Sequence, residues 1–171
     1  MIKDLWGEVT VEASDYADEI INQLNNKQNV AFEPNYDSTG KGVTLIPNTI
    51  KLPDNGIHCI YRNNVPLYVG YSGNSTRERL GKFCGAVRKT LRSDERHIGG
   101  ERYLKAFGED FEGITVRAVE YYAGQDISVK LSTITNEMAI KLNASFNDVI
   151  YKKLHPDAES DTEEFDTLWD K

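Results

Sequence analysis

The stretch LYVGYSGNSTRERL (67–80) decides how the middle of this chain folds. Apolar residues alternate around Tyr68, as in a half-buried β-strand, and Gly70 has no side chain where that strand ends. The polar turn that follows contains Ser75, a typical helix N-cap. Beyond this cap, apolar residues recur on one face of a helix: Leu80, Phe83, Cys84, Val87 and Leu91. The stretch therefore predicts a strand, a turn and a capped helix.

Three β-strands are predicted around this unit. The segments GIHCIYR (56–62) and LYVGYS (67–72) are joined by NNVP, which favours a hairpin. GITVRAVEYY (113–122) is a third strand, and Gly124 ends it. The segment FNDVIYK (146–152) has the pattern of a last short strand.

Amphipathic helices are predicted on both sides of these strands. One near the N-terminus is capped by Ser14 or Asp15, one covers GERYLKAF (100–107), and one follows the third strand. The first and last helices are marked by Ala17, Ile20, Ile21 and Leu24, and by Leu131, Ile134, Met138 and Leu142. The pattern predicts an α/β (α+β) fold, in which helices flank a small three-stranded antiparallel sheet.

Length and composition fit one main globular domain with two flanking segments. We expect a helical and loop extension (1–52), the domain itself (53–156) and a short acidic tail (157–171). Cys59 and Cys84 form no CxxC pair, which indicates buried thiols in a reducing compartment. No apolar run approaches the ~18 residues of a membrane span. The sequence therefore predicts a soluble, cytoplasmic protein with no membrane partner.

Charge is distributed unevenly along the chain. The net charge of −7 combines −5 in residues 1–55, +4 in 56–156 and −6 in 157–171. Residues 77–105 form a basic stripe that carries Arg77, Arg79, Lys82, Arg88, Lys89, Arg92, Arg96, Arg102 and Lys105. Such a stripe favours a face that binds a polyanion, and a solvated helix surface is the alternative.

The order of these elements resembles the GIY-YIG nuclease family over about 56–151. The residues that carry the resemblance are GIH (56–58), YVG (68–70), Arg79, His97, Glu137 and Asn147. It implies a stand-alone DNA endonuclease, of the phage or restriction type, in a bacterial or phage-infected cell. Members of the family cut phosphodiesters with one divalent metal ion, usually Mg²⁺, which Mn²⁺ can replace. A single glutamate is enough, because Mg²⁺ keeps most of its waters.

The resemblance assigns a role to each matching residue. Tyr68 matches the tyrosine of the second motif, and Arg79 matches the arginine that stabilises the transition state. Arg77 is a rival, because the turn is one residue longer than the usual spacing. Glu137 matches the metal-binding glutamate, and an i,i+4 ion pair with Lys141 is the alternative interpretation.

Two further residues have both a functional and a structural interpretation. Asn147 either supports the site by hydrogen bonding or forms a turn. His97 either matches a histidine that is catalytic or contacts the substrate phosphate in some members of the family, or is an ordinary loop histidine. The residues expected to bind nucleic acid are Arg77, Lys82, Arg88, Lys89, Arg92, Arg96 and Asn147.

His58 departs from the family, which has a tyrosine at this position that relays the proton of the attacking water. Tyr61 does not replace it, because a residue three positions along a strand lies on the other face. A neutral imidazole, with a reference pKa of ~6.5, is a competent general base at neutral pH. The alternative is an impaired site in a module that only binds nucleic acid.

Two expectations concern assembly and the tail. One module cuts one strand at a time, so we expect a symmetric dimer or tetramer with residues 1–52 at its interface. In the tail, Phe165, Leu168 and Trp169 form an apolar stripe. The tail either packs on its own domain as a terminal helix or lies near the basic stripe and competes with DNA.

Overall fold

A computed structural model describes residues 13–36, 42–121 and 130–158. Five α-helices and five strands lie within these ranges. In chain order they are α1 (Ala13–Asn25), β1 (Val30–Pro34), β2 (Val43–Ile46), β3 (Gly56–Arg62), β4 (Val65–Ser72), α2 (Thr76–Arg88), α3 (Ile98–Phe107), β5 (Ile114–Glu120), α4 (Leu131–Leu142) and α5 (Asp148–Leu154). A short 3₁₀ turn, Pro156–Ala158, follows α5.

The five strands form one antiparallel sheet in the order β2-β1-β5-β3-β4. The α+β class is confirmed, but the prediction of three strands is wrong, because β1 and β2 extend the sheet beyond β5. β1 was missed because its five residues, VAFEP, include a glutamate and a proline. Val30 and Phe32 are nevertheless buried on one face. Part of the predicted extension thus belongs to the same sheet as the hairpin.

Helices cover both faces of the sheet. α2 and α3 pack on the face that carries Ile60, where Phe83 and Tyr103 are fully buried. α1 and α4 pack on the face that carries Cys59, and Met138 is fully buried there. The alternation of Cys59 and Ile60 between the two cores is the period-two pattern of a strand covered on both sides.

The hairpin of β3 and β4 is confirmed, and its register positions the site. Asn63 and Asn64 form the turn with φ values of 51° and 67°, a left-handed conformation that asparagine tolerates. His58 lies directly opposite Gly70. Tyr68, two residues before Gly70, lies on the same face of the sheet. β4 is an edge strand, so one of its sides faces away from the sheet.

Two local predictions are wrong. Residues 146–152 lie partly in helix α5 instead of a strand, and the consecutive residues Ile150 and Tyr151 are both buried. A helix turned against the domain can bury neighbouring residues, whereas a half-exposed strand buries alternate ones. The cap expected for the first helix is also incorrect, since Ser14 and Asp15 lie inside α1.

Some of the predicted features lie outside the described ranges. These are residues 1–12 of the extension, Gly124, and the tail from 159 onward with its Phe165, Leu168 and Trp169. Across the described residues, no helix is both long and apolar enough to cross a lipid bilayer.

Candidate active site

A cleft of about 460 Å³ lies along the outer edge of β4. Tyr68 and Gly70 line it from the strand, and Arg79 and Lys82 line it from α2. The other lining residues are Val69, Tyr71, Ser72, Gly73, Asn74, Ser75, Glu78, Thr135 and Asn147. The strand–turn–helix unit of 67–80 therefore supplies most of the cleft.

Hydrogen bonds within the turn fix where α2 begins. The hydroxyl of Ser72 accepts hydrogen bonds from the backbone N–H groups of Asn74 (3.3 Å) and Ser75 (2.8 Å). The hydroxyl of Ser75 accepts one from the backbone N–H of Glu78 (3.1 Å), so the predicted N-cap is confirmed. As a result, Arg79 lies in the first turn of a helix that starts directly beside the end of β4.

The two rival arginines have different environments. Arg79 lines the cleft, and its Nε is buried with no hydrogen-bond partner among the described residues. Arg77 donates a hydrogen bond to the backbone oxygen of Val43 in β2 (2.9 Å). Residues two apart on an α-helix point about 200° apart. Arg79 is thus the arginine available to a ligand in the cleft, and Arg77 ties α2 to β2.

The ring of Tyr68 is surrounded by two histidines and two glycines. A Cβ atom on Gly70 would lie 3.0 Å from the His58 ring and 3.0 Å from the Tyr68 ring. A Cβ atom on Gly99, at the start of α3, would lie 2.8 Å from the Tyr68 ring. The ring centroids of Tyr68 and His97 are 5.2 Å apart. The two glycines therefore make room for a close cluster of aromatic rings.

His97 is the N-cap of α3. Its Nδ1 accepts a hydrogen bond from the backbone N–H of Gly100 (3.2 Å), which leaves the proton of the neutral ring on Nε2. This Nε2 is buried and has no partner among the described residues. His97 is therefore a buried helix cap that also contacts the cluster, rather than an ordinary loop histidine.

Burial and the charge of Arg79 keep both histidines neutral. His58 is 1% exposed. Burial, with a smaller contribution from Arg79, lowers its pKa from 6.5 to about 3. The pKa of His97 is also held well below 6.5, first by burial and then by Arg79 and His58. Burial raises the pKa of Tyr68, so its phenol stays protonated at pH 7.

Unpartnered polar atoms are concentrated at this cluster. Within the described residues, both ring nitrogens of His58, Nε2 of His97 and Nε of Arg79 are buried without a hydrogen bond. A buried polar atom without a partner typically costs about 1–3 kcal/mol. Several such atoms in one place form a site suited to a polar ligand. Tyr61 lies in the opposite core, as expected from its position along β3.

Asn147 fastens the outer edge of β4. Its side chain accepts a hydrogen bond from the backbone N–H of Val69 (2.8 Å) and donates one to the backbone oxygen of Val69 (2.9 Å). This bidentate contact holds the strand between Tyr68 and Gly70. The hydrogen-bonding role expected for Asn147 is thus visible in the structure, and Asn147 also stands at the N-cap of α5.

Arg102 holds the segment that carries Asn147, and the sequence interpretation counted it only as part of the basic stripe. It is 6% exposed and donates hydrogen bonds to the backbone oxygen of Phe146 (2.8 Å) and to Asp148 (2.7 Å). Its guanidinium also stacks on the ring of Tyr151 at 4.0 Å. Its position on the apolar face of α3, beside Tyr103, was the signal that could have revealed it.

Glu137, the predicted metal ligand, does not line the cleft. Thr135 lines it from α4, and a residue two positions later points about 200° away around the helix. The alternative ion pair with Lys141 is also absent among the described residues, since Lys141 pairs with Asp18 of α1 at 3.0 Å. Glu137 therefore lies on the side of α4 away from Arg79.

Glu78 is the one carboxylate among the described residues that line the cleft. It is exposed, in the first turn of α2 beside Arg79. In the part of the chain that the structure describes, no three His, Cys, Asp or Glu side chains lie close enough to form a full metal cage. Mg²⁺ does not need one, because it is usually bound by one or two carboxylates and substrate phosphates. Glu78 is the carboxylate of the cleft that such an ion would contact.

The cations of the basic stripe differ in their surroundings. Lys82 lines the cleft, whereas Lys89 ends α2 in a left-handed conformation with a φ of 60°. Four stripe residues pair with acids: Lys82 with Glu95 (3.9 Å), Arg88 with Glu109 (3.5 Å), Arg92 with Asp94 (2.6 Å) and Arg96 with Glu101 (2.8 Å). Surface pairs of this kind contribute only about 0–1 kcal/mol, so phosphates could replace the acids.

Comparisons with known proteins identify no relative of this chain. No protein-family model matches the chain, and no characterised sequence or solved structure does. The resemblance to GIY-YIG nucleases therefore rests on the sequence motifs alone.

Proposed function

We propose that this protein is a metal-dependent DNA endonuclease that hydrolyses phosphodiester bonds in the cleft beside Tyr68 and Arg79. One observation carries the proposal. Unpartnered, buried nitrogens of Arg79, His58 and His97 lie around the ring of Tyr68. Tyr68, Arg79 and Lys82 line the cleft, whereas neither histidine is among the described residues that line it. A cation with free donors, Arg79, next to a neutral proton acceptor, His58, is the combination that phosphodiester hydrolysis requires.

Each residue has a role that follows from its environment. The guanidinium of Arg79 stabilises the negative charge that develops on the phosphate oxygens. The protonated phenol of Tyr68 donates a hydrogen bond to the attacking water or to a phosphate oxygen. His58 is neutral at pH 7 and accepts the proton of the water. Asn147 keeps the strand in place through its two hydrogen bonds to Val69.

A divalent ion completes the proposed site. Glu78 would hold Mg²⁺ or Mn²⁺, and the ion would supply positive charge to the phosphate and lower the pKa of a bound water. Glu78 directly precedes Arg79 in the sequence, so the carboxylate and the guanidinium both belong to the first turn of α2.

A second candidate function is a module that binds nucleic acid without cutting it. The observation that favours it is the almost complete burial of His58, which lowers the pKa of its imidazole to about 3. An imidazole with such a pKa is a weak proton acceptor in the free protein. In this case the cleft and the basic stripe bind the phosphate backbone, and no bond is broken.

Nicking of supercoiled plasmid DNA tests the two candidates. The wild type should convert it to the open circle with Mg²⁺ and should stop when EDTA is added. Arg79→Ala should cut about 100- to 1,000-fold more slowly, because it removes a transition-state donor, yet still bind DNA. Arg77→Ala is the matched control, from the same helix turn but bonded to Val43, and should keep most of the rate.

Three results would count against the endonuclease. Binding without nicking, with every divalent metal tried, would leave the binding module. Equal loss of rate in Arg77→Ala and Arg79→Ala would mean that the helix is disturbed rather than the chemistry. An unchanged rate in Arg79→Ala would place the reaction elsewhere.

A further inference from the structure

Tyr71 is an exposed aromatic residue on the wall of the cleft. It follows Gly70 in β4, lies opposite Ile57, and has 44% of its surface exposed. It therefore lies on the opposite face of the edge strand from Tyr68, and the cleft extends around that edge. Tyr71 is also near enough to Tyr68 to contribute to the raised pKa of Tyr68. The proposed hydrolysis does not use it.

The cleft combines two kinds of surface. Its cations, Arg79 and Lys82, come from α2. Its lining also includes neutral side chains with hydrogen-bonding groups, such as Asn74 in the turn and Thr135 in α4. A nucleotide has the same division, because its phosphate is anionic whereas its base is flat, neutral and rich in donors and acceptors.

The backbone of Tyr71 adds a hydrogen-bonding pair at the same place. Both the N–H and the C=O of Val69 bind the side-chain amide of Asn147, so they point away from β3. The direction of the backbone N–H and C=O groups repeats every second residue along a strand. The N–H and C=O of Tyr71 therefore point to the same outer edge as those of Val69. Asn147 thus shows that a group with one donor and one acceptor can bind the outer edge of β4. A nucleic-acid base has a similar donor and acceptor along its Watson–Crick side.

We propose that Tyr71 binds an unpaired base of the DNA substrate, which stacks on the tyrosine ring next to the phosphate held by Arg79. The inference rests on the proposed function and narrows its substrate class. Bases inside a duplex are stacked on each other and paired, so Tyr71 has access only to single-stranded or locally unpaired DNA. The protein then prefers such DNA over a perfect duplex.

Binding measurements in EDTA test this without cleavage. The probes are a single-stranded oligonucleotide, the same strand in a perfect duplex, and the single strand with 2-aminopurine at successive positions. The wild type should bind the single strand more tightly than the duplex and should quench 2-aminopurine at one position. Tyr71→Ala should lose roughly five- to 150-fold in affinity for the single strand, the range expected for one base stacked on an aromatic ring. It should also lose the quenching.

The matched control is Tyr71→Phe, which keeps the ring and should keep both affinity and quenching. Duplex affinity should be the same in all three proteins, since phosphate contacts dominate it. Equal affinity of wild type and Tyr71→Ala for the single strand overturns this inference and leaves the proposed function standing. No binding to any of these DNAs overturns both. If nicking depends on Arg79 but the protein cuts perfect duplex and not single-stranded DNA, this inference alone is overturned.

Discussion

His58→Phe should make the protein less sensitive to acid, because it removes a buried imidazole that resists protonation. His58 is 1% exposed, and its pKa falls from 6.5 to about 3 on folding. Between these two values the unfolded chain binds a proton that the folded protein does not. The stability that His58 contributes is therefore complete above pH 6.5 and is lost as the pH falls toward 3.

The size of the effect follows from the two pKa values. Between pH 7 and pH 5, protonation of an unfolded-state histidine of pKa 6.5, with the folded form neutral, lowers the free energy of unfolding by about 2 kcal/mol. Almost complete burial means that solvent screening does not reduce this figure. His97 acts in the same direction, but it is present in both proteins and its contribution cancels in the comparison.

Urea unfolding at pH 7 and at pH 5 measures this difference. The wild type should lose about 2 kcal/mol more than His58→Phe between the two values. Phenylalanine is close to histidine in size, so the cavity stays filled. His155→Gln removes an exposed histidine and serves as the control, which should follow the wild type. Identical losses in the wild type and His58→Phe would refute the reasoning, because they would mean that the imidazole is charged or solvated in the folded protein.

Two further comparisons use neighbouring residues as their own controls. Gly70→Ala places a Cβ 3.0 Å from the His58 and Tyr68 rings, so it should lower the free energy of unfolding by about 1–3 kcal/mol and slow cleavage. Gly73→Ala is the control and should do neither, because its Cβ meets nothing closer than 4.0 Å. Equal effects of the two variants in urea unfolding would contradict the packing argument. Glu78→Gln should abolish Mg²⁺-dependent nicking, and Glu137→Gln should not; the reverse result in a Mg²⁺ titration would restore Glu137 as the metal ligand.

The centre of the fold was predictable because its local signals agree. Alternation, an asparagine turn and a serine cap all point to the same hairpin and helix, and β3 begins and ends where the pattern GIHCIYR does. β1 gave no such signal, because its place in the sheet depends on pairing with β5, more than 80 residues away. Two residue pairs join these strands, Val30 with Val116 and Ala31 with Thr115.

The positions of site residues were predictable only where they depend on a single strand, turn or helix and not on how distant elements pack. Arg79 and Tyr68 belong to the quoted stretch, so their convergence follows from one turn. Glu137 lies on a helix whose rotation is set by packing on α1, where Lys141 contacts Asp18. That contact lies between distant parts of the chain, and helical periodicity alone does not give it. The burial of His58 is likewise a tertiary property, because residues of both helical layers enclose β3.

The pKa of His58 also bears on how a histidine can act at a position where the GIY-YIG nucleases, which the sequence resembles, have a tyrosine. A buried tyrosine stays protonated and can accept a proton only after losing its own, whereas a buried imidazole is already an acceptor at pH 7. Part of the lowering of the pKa of His58 comes from the charge of Arg79. Burial has the larger effect and persists, but a phosphodiester bound to Arg79 offsets the smaller effect of that charge, so substrate binding should raise the pKa of His58 in part. In the proposed mechanism, His58 therefore becomes a stronger base only when the bond to be cut is in place.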